Sequence, residues 1–234
     1  MKGKLYALGI GPGDPDLITL KALNILKKAN LLIAIRTDQE LESKVRPVIS
    51  PHLDSLEDKY YEQLIPTKGR CQNFFDCWME LAKKINRSLD RGEDVAFLIP
   101  EDPATFSIFT YLADIMEEEY GEYNLEIVPG INSLSYIASN FKMPLVMENE
   151  RLAILHRPSD LENLPNLVES FDTLAILKGQ GQLKAIKEKI KELDLSSKTY
   201  FFVSTEEEGH YNLFKIEELE DKGGEGDLFV IIKN

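Results

Sequence analysis

The feature that most constrains this chain is the alternation of short apolar runs with amphipathic stretches. Leu5–Ile10 is an apolar run of strand length, Asp16–Asn30 carries leucines at helical spacing with lysines between them, and Leu31–Ile35 is apolar again. Because similar units follow along the chain, the sequence predicts an α/β protein whose sheets are mostly parallel or mixed and are flanked by helices.

The remaining elements are predicted from the same two periodicities. Helices are expected over Asn73–Leu89, Thr105–Tyr120, Ser133–Phe141 and Leu183–Leu193. Further strands are expected at Val95–Ile99, Leu125–Val128, Leu152–Leu155, Leu174–Leu177, Tyr200–Val203 and Leu228–Ile232.

A break near Gly121 divides the pattern into two halves. We therefore expect two α/β domains, an N-terminal one over residues 1–120 and a C-terminal one over residues 121–234. The segment Glu206–Gly226, which is rich in glutamate and ends in several glycines, is predicted to be an exposed hairpin.

Charge and composition argue against several classes of partner. Forty acidic residues against 27 basic ones give a net charge of −13, which disfavours nucleic acid because such binding depends on neutralising phosphates. No apolar run reaches the roughly 18 residues that cross a bilayer, so no membrane partner is expected. The three histidines share no ligand spacing, and no metal site is predicted. Cys71 and Cys77 are expected not to bridge each other, which fits a cytoplasmic protein.

Four turns at predicted strand ends could carry chemistry, namely Gly9–Pro15, Pro100–Pro103, Val128–Ser133 and Leu177–Gly181. Open α/β sheets place their ligands at the carboxyl ends of the strands. Each turn taken alone has a purely structural interpretation, as a tight strand-to-helix connection or a helix cap. The first turn superficially matches a dinucleotide fingerprint, but Asp14 stands where that fingerprint needs a glycine.

Taken together, the four turns resemble the tetrapyrrole methylase family, which uses S-adenosylmethionine to methylate intermediates of cobalamin and sirohaem synthesis. The most specific part is Gly9–Pro15, followed by the pattern of residues Leu17–Ala22. Within the family, Val128–Ser135 and the Leu177–Lys178 pair look most like the precorrin-2 or cobalt-precorrin-2 C20-methyltransferases.

The resemblance implies a homodimer of two-domain subunits, with the cofactor in the cleft between domains and a tetrapyrrole substrate in a neighbouring trough. It implies that Asp102 lies nearest the reacting carbon and is the catalytic residue. The residues implied to surround S-adenosylmethionine, largely through main-chain atoms, are Pro12, Pro100, Glu101, Asp102, Thr105, Asn132, Ser133 and Lys178.

The macrocycle carries several carboxylates, so its site needs cationic donors despite the negative charge of the whole chain. Candidate cations in or near loops of the first half are Arg36, Lys44, Arg46, Lys68 and Arg70. We also expect Gly11 and Gly13 to border the substrate. For any single cation, a solvated surface charge is the simpler interpretation.

Two positions depart from the family pattern. Glu101 stands where the family has glycine, and Phe106 stands where it commonly has tyrosine. These departures leave a second hypothesis open, a divergent relative with weak or no catalysis that acts as a binding protein. A methylase of another tetrapyrrole position is a third. A dinucleotide-dependent oxidoreductase is disfavoured by Asp14, and an RNA methyltransferase is disfavoured by the charge.

Overall fold

A computed structural model describes residues 2–36, 43–54, 58–65, 74–156, 161–205, 210–219 and 227–233. Two of the predicted cations, Lys68 and Arg70, lie outside the described residues. The chain separates into two compact units, one ending at Ser133 and the other beginning at Leu134. Each unit contains one five-stranded sheet, which confirms the predicted fold class.

The first unit is built on a parallel sheet of strand order β3-β2-β4-β1-β5. The strands are β1 (Leu5–Gly9), β2 (Leu31–Arg36), β3 (Tyr60–Leu64), β4 (Val95–Ile99) and β5 (Leu125–Val128). The helices are α1 (Leu20–Lys28), α2 (Arg46–Ile49), α3 (Phe74–Asp90) and α4 (Phe109–Tyr120), with 3-10 turns at Pro15–Leu17 and Ser50–His52.

Both faces of this first sheet are covered. Leu81 of α3 and Leu112 of α4 pack with Phe97 in one apolar cluster, whereas Leu26 of α1 packs with Leu98 in a second cluster on the other face. Parallel strands buried on both sides are apolar throughout, and all five residues of β4 are buried. The sheet therefore holds its strand ends in fixed positions.

The second unit carries a mixed sheet of strand order β6-β7-β10-β8-β9. β6 and β7 are parallel, and the other neighbours are antiparallel. The strands are β6 (Leu152–His156), β7 (Thr173–Leu177), β8 (Thr199–Ser204), β9 (Tyr211–Phe214) and β10 (Leu228–Lys233). The helices are α5 (Ser133–Asn140), whose first residue belongs to the first unit, α6 (Leu164–Ser170) and α7 (Leu183–Glu192), with 3-10 turns at Gln180–Gln182 and Ser196–Lys198.

Some elements differ from the sequence prediction. The fourth helix begins at Phe109 instead of Thr105, because the residues before it form a turn that includes Phe106 at φ 53°. β3 was not predicted, since it lies at the sheet edge and its five residues are only half-buried. α2 and α6 were not predicted, and β9 was predicted only as part of the hairpin over Glu206–Gly226.

The division of the chain and the second cysteine also differ from expectation. A boundary at Gly121 puts β5 in the second domain, whereas β5 pairs with β1 in the first sheet. Cys77, which is buried, is disulfide-bonded, contrary to the expectation that the cysteines do not bridge. Cys71 lies outside the described residues, as do 206–209 and 220–226 of the predicted hairpin. The rest of that hairpin includes β9, which pairs antiparallel with β8.

No helix within the described ranges is long and apolar enough to cross a membrane.

Ion pairs stabilise the edge of the first sheet that is formed by β5. Glu126 of β5 forms ion pairs with Lys4 and with Lys21 of α1. Hydrogen bonds from these two ammonium groups lower the pKa of Glu126 from 4.5 to about 2. The carboxylate therefore links β5 to α1 and to the residue that precedes β1.

This depressed pKa predicts a defined loss of stability in acid. Stabilisation by Glu126 is complete above pH 4.5 and is lost as the pH falls through about 2, because protonation of the folded protein then removes the ion pairs. We expect urea unfolding midpoints of wild type and Glu126→Gln to differ at neutral pH and to converge as the pH falls toward 2. A difference that does not change with pH would contradict this assignment.

Candidate functional site

The carboxyl ends of β4, β1 and β5 bring three of the predicted turns together. These strands are neighbours in the first sheet and are parallel, so the segments that leave them emerge at one edge. The turns are residues 10–14 after β1, residues 100–107 after β4 and residues 129–132 after β5. Hydrogen bonds between them make this edge the candidate functional site.

The turn after β1 depends on glycine. Gly11 has a φ of 96° and Gly13 a φ of 119°, values that side-chain-bearing residues rarely adopt. Pro12 between them is buried, and the Asp14 carboxylate accepts a hydrogen bond from the N–H of Asp16 at 2.9 Å and so caps the following 3-10 turn. The turn therefore has a fixed backbone course.

The turn after β4 is attached to the turn after β1 through the backbone of Glu101. Its N–H donates to the Gly11 carbonyl at 2.8 Å, and its carbonyl accepts from the Gly11 N–H at 3.4 Å. Glu101 has a φ of 66°, a left-handed conformation that is unfavourable for a residue with a Cβ. The strained residue is therefore held on its backbone by a small antiparallel bridge.

The Asp102 carboxylate joins two of the turns. Oδ1 accepts hydrogen bonds from the N–H of Ala104 at 2.9 Å and from the Thr105 hydroxyl at 3.2 Å. Oδ2 accepts from the N–H of Gly130 at 3.0 Å. Because an ionised carboxylate offers about four acceptor positions, Asp102 can still accept one more hydrogen bond.

The Glu101 carboxylate makes a second connection between the same two turns. Oε2 accepts hydrogen bonds from the N–H of Ser133 at 3.1 Å and from its hydroxyl at 2.8 Å. Ser133 is the first residue of α5 and is buried. The carboxylate thus satisfies one of the N–H groups that a helix leaves without an internal partner at its start.

Two glycines allow these backbones to approach one another. A Cβ at Gly130 would lie 2.2 Å from the Glu101 carbonyl oxygen, and one at Gly9 would lie 2.5 Å from the Gly130 nitrogen. Neither distance is possible for real atoms, so both positions require glycine. The three turns are packed against each other without intervening side chains.

A cluster of charged and aromatic side chains lies along β2, β3 and α2, with Arg36 at the carboxyl end of β2 and Tyr60 at the start of β3. Arg36 Nε is 3.4 Å from Glu62 Oε2, and the other carboxylate oxygen accepts hydrogen bonds from the Tyr60 hydroxyl at 2.6 Å and the Ser43 N–H at 3.1 Å. Arg46 stacks over the Tyr60 ring at 5.4 Å. Burial and the neighbouring Glu62 raise the pKa of Tyr60 well above its usual value, so the phenol stays protonated.

Lys178 belongs to the second unit, where it follows β7. It has a φ of 55°, and the next residue, Gly179, donates its N–H to the Leu228 carbonyl at 3.0 Å. A Cβ at Gly179 would lie 2.9 Å from Ile186 Cδ1, the end of a flexible side chain that would have to shift.

The structure thus joins five predicted site residues through hydrogen bonds, which are Gly11, Glu101, Asp102, Thr105 and Ser133. Arg36 and Arg46 share the Tyr60–Glu62 cluster, whereas Lys44 is exposed. Pro100 is exposed and Asn132 is half-buried, both in the connected turns. Among the described residues, no group of histidine, cysteine and carboxylate side chains could hold a metal ion.

Sequence reasoning missed three residues that shape this edge. Gly130 could have been found from its proline–glycine pair after a strand, but its contact with Glu101 could not. Glu62 was missed because β3 was not predicted. His52 donates a hydrogen bond from Nε2 to the Pro15 carbonyl at 2.9 Å, and nothing in its sequence surroundings indicates this role.

Comparison with known proteins gives the same family along most of the chain. The sequence pattern of the family described as Tetrapyrrole (Corrin/Porphyrin) Methylases matches residues 4–207. The cobalt-precorrin-2 C(20)-methyltransferase of Salmonella typhimurium is 31% identical over 196 residues, which cover 80% of this chain and 77% of that protein. A protein of Methanocaldococcus jannaschii named as a probable cobalt-precorrin-2 C(20)-methyltransferase is 32% identical over 177 residues, covering 75% and 72%.

Solved structures show the same fold at lower identity. A cobalt precorrin-4 methyltransferase, described as a cobalamin biosynthetic enzyme, superposes with a TM-score of 0.70 at 20% identity, covering 97% of this chain and 94% of that one. The uroporphyrin-III C-methyl transferase of Thermus thermophilus, complexed with S-adenyl homocysteine, gives a TM-score of 0.64 at 22% identity, covering 98% and 92%.

The close packing at Gly130 predicts that a single methyl group disrupts this edge. In Gly130→Ala the new Cβ overlaps a backbone oxygen, which cannot move without breaking the Glu101–Gly11 bridge. We expect the free energy of unfolding to fall by about 3 kcal/mol, measured by chemical denaturation. The control is Gly181→Ala, where a Cβ meets nothing within 4 Å. Equal stability of the two variants would show that the packing is not tight.

Proposed function

The chain belongs to the tetrapyrrole (corrin/porphyrin) methylases, and from this membership we propose that it is an S-adenosylmethionine-dependent C-methyltransferase of cobalamin biosynthesis that acts on precorrin-2 or cobalt-precorrin-2 at C20. The observation that carries the choice of substrate is the 31% identity over 80% of the chain to the Salmonella typhimurium protein of that name. We include in the proposal the homodimer that the family resemblance implies. A cytoplasmic location is also part of the proposal, and it rests on the low number of cysteines.

The candidate site fits the cofactor in its chemistry. S-adenosylmethionine carries a sulfonium and an ammonium group, which are attracted to carboxylates and carbonyl oxygens, and ribose hydroxyls, which need polar partners. Asp102 keeps one acceptor position available, and Thr105 is exposed beside it. The left-handed glycines at 11 and 13 let a ligand approach the main chain closely.

In this proposal several residues surround the cofactor, largely through main-chain atoms. They are Pro12, Pro100, Glu101, Asp102, Thr105, Asn132, Ser133 and Lys178. Substrate carboxylates pair with Arg36, Lys44, Arg46 and Arg70, and Gly11 and Gly13 border the macrocycle. The position of Arg36 at the carboxyl end of β2, the edge from which the turns also emerge, supports its part of this assignment.

When bound, S-adenosylmethionine supplies a methyl group on a positively charged sulfur, so transfer forms a carbon–carbon bond, breaks the sulfur–carbon bond and leaves S-adenosylhomocysteine. The protein's contribution is to hold the two reactants close together and correctly oriented. The connected turns supply this rigidity, because their backbones are bonded to one another. Asp102 contributes a fixed negative charge that stabilises the positive charge developing on the macrocycle.

The proposal is tested by incubating the purified protein with S-adenosylmethionine and precorrin-2, with and without cobalt, and measuring the molecular mass of the product by mass spectrometry. One added methyl group, located at C20 by NMR, is the expected result. A methyl group at another carbon would identify a methylase of a different tetrapyrrole position.

Calorimetry with S-adenosylhomocysteine is expected to give micromolar affinity. Absence of binding at millimolar ligand would leave the non-catalytic relative, whose main support is Glu101 in place of glycine.

Asp102→Asn provides a sharper test of the electrostatic role. The amide keeps an oxygen toward Ala104 and Thr105 but loses the charge and turns an N–H₂ group toward the Gly130 N–H. We expect kcat to fall about 10²-fold, with a much smaller change in the Kd of S-adenosylhomocysteine.

A matched control is Asp172→Asn in the second unit, which removes another carboxylate that accepts a backbone N–H, that of Arg151 at 2.7 Å. It is expected to leave turnover unchanged. Near-normal turnover of Asp102→Asn would exclude the proposed role of Asp102.

A further inference from the structure

Glu101 is contacted by both of the other turns at the sheet edge. Its backbone forms the bridge to Gly11, and its carbonyl oxygen faces Gly130 closely enough to exclude a Cβ there. Its side chain reaches Ser133, 32 positions along the chain, with two hydrogen bonds to one carboxylate oxygen. Residue 101 is thus the point where the three turns meet.

Consecutive carboxylates hold the β5–α5 turn at both of its ends. Asp102 accepts from the N–H of Gly130, and Glu101 accepts from the N–H and hydroxyl of Ser133. With glycine at position 101 the backbone contacts would be retained, but the second of these attachments would be missing. The side chain of Glu101 therefore adds a constraint that the family's usual glycine cannot supply.

From these contacts we infer that Glu101 is a positioning residue, whose carboxylate fixes the turn of residues 130–133 in the conformation that receives the cofactor. The carboxylate itself does not contact the cofactor, because it is directed at Ser133. The N–H and hydroxyl of Ser133 are likewise committed to Glu101, so Ser133 serves the cofactor site through its position and not as a donor. This inference rests on the proposed cofactor site.

The two hydrogen bonds between the Glu101 carboxylate and Ser133 are called the clamp below, and their chemistry determines which variants test the inference. Glu101→Gln keeps an oxygen that can accept both Ser133 hydrogen bonds, and is expected to behave like wild type. Glu101→Gly keeps the backbone and relieves the left-handed strain, so the variant can fold, but it lacks the clamp. Ser133→Ala removes the hydroxyl and retains the N–H. Glu150→Ala is the control, since its carboxylate also accepts a backbone N–H, that of Met147 at 2.7 Å.

The first measurement does not depend on activity. Hydrogen–deuterium exchange of the peptide that contains residues 130–133 is expected to be about tenfold faster in Glu101→Gly and unchanged in Glu101→Gln and Glu150→Ala. In a double-mutant cycle of unfolding midpoints, Glu101→Gly and Ser133→Ala are expected to be non-additive, because both remove the same hydrogen bond. Unchanged exchange in Glu101→Gly together with additive effects would overturn the inference.

The second measurement connects the clamp to the cofactor. We expect Glu101→Gly to bind S-adenosylhomocysteine about tenfold more weakly and to raise the KM for S-adenosylmethionine while kcat at saturation is retained. Glu101→Gln is expected to restore both values. Equal or tighter binding by Glu101→Gly would exclude the positioning role. If the wild type neither binds the ligand nor methylates precorrin-2, the proposed function fails, whereas the exchange and unfolding data still decide whether the clamp exists.

Discussion

The candidate site depends on the hydrogen bonds of two consecutive residues, Glu101 and Asp102, whose backbone and carboxylates connect three strand-end turns. Glu101 and Asp102 follow β4, the strand between β2 and β1, and they accept donors from the turn that leads into α5. Because all three turns leave parallel strands at one edge, short polar contacts are enough to connect them. The glycines at 9 and 130 are part of the same constraint, since any side chain there would separate the backbones. The site is therefore a backbone assembly that a few side chains hold in place.

The net charge of −13 raises the question of how such a protein could bind an anionic macrocycle. Arg36, at the carboxyl end of β2, forms an ion pair with Glu62. Arg46 places its guanidinium over the Tyr60 ring, a contact between a cation and an aromatic face. A protonated Tyr60 adds no negative charge to this cluster. A local group of basic side chains is therefore compatible with a negative net charge.

Sequence patterns predicted the central parts of the fold and the turns that the structure brings together at one sheet edge. β4 was predicted with the bounds that the structure has, because a buried parallel strand is a continuous apolar run. The bounds predicted for β5, an edge strand, also agree with the structure. β3 was not predicted, because its half-buried residues YYEQL lack a continuous apolar run. Glu62, which pairs with Arg36, was missed for the same reason. The turn motifs were recognised, but which donor each carboxylate takes depends on contacts between residues about 30 positions apart, as for Glu101 and Ser133. Periodicity carries no information about such contacts.

Glutamate at position 101 is compatible with the fold only if its contacts offset its backbone strain. A left-handed conformation costs a residue with a Cβ about 1–2 kcal/mol. A hydrogen bond to a charged group contributes about 1.5–3 kcal/mol, and Glu101 receives two from Ser133. Ordering a long side chain costs up to about 2 kcal/mol more, so the two hydrogen bonds are of the size needed to offset the strain and the ordering together. Glycine at this position would avoid the strain but would leave the start of α5 without its acceptor. The departure from the family pattern therefore requires a donor pair at the opposite turn, and Ser133 provides both members of it.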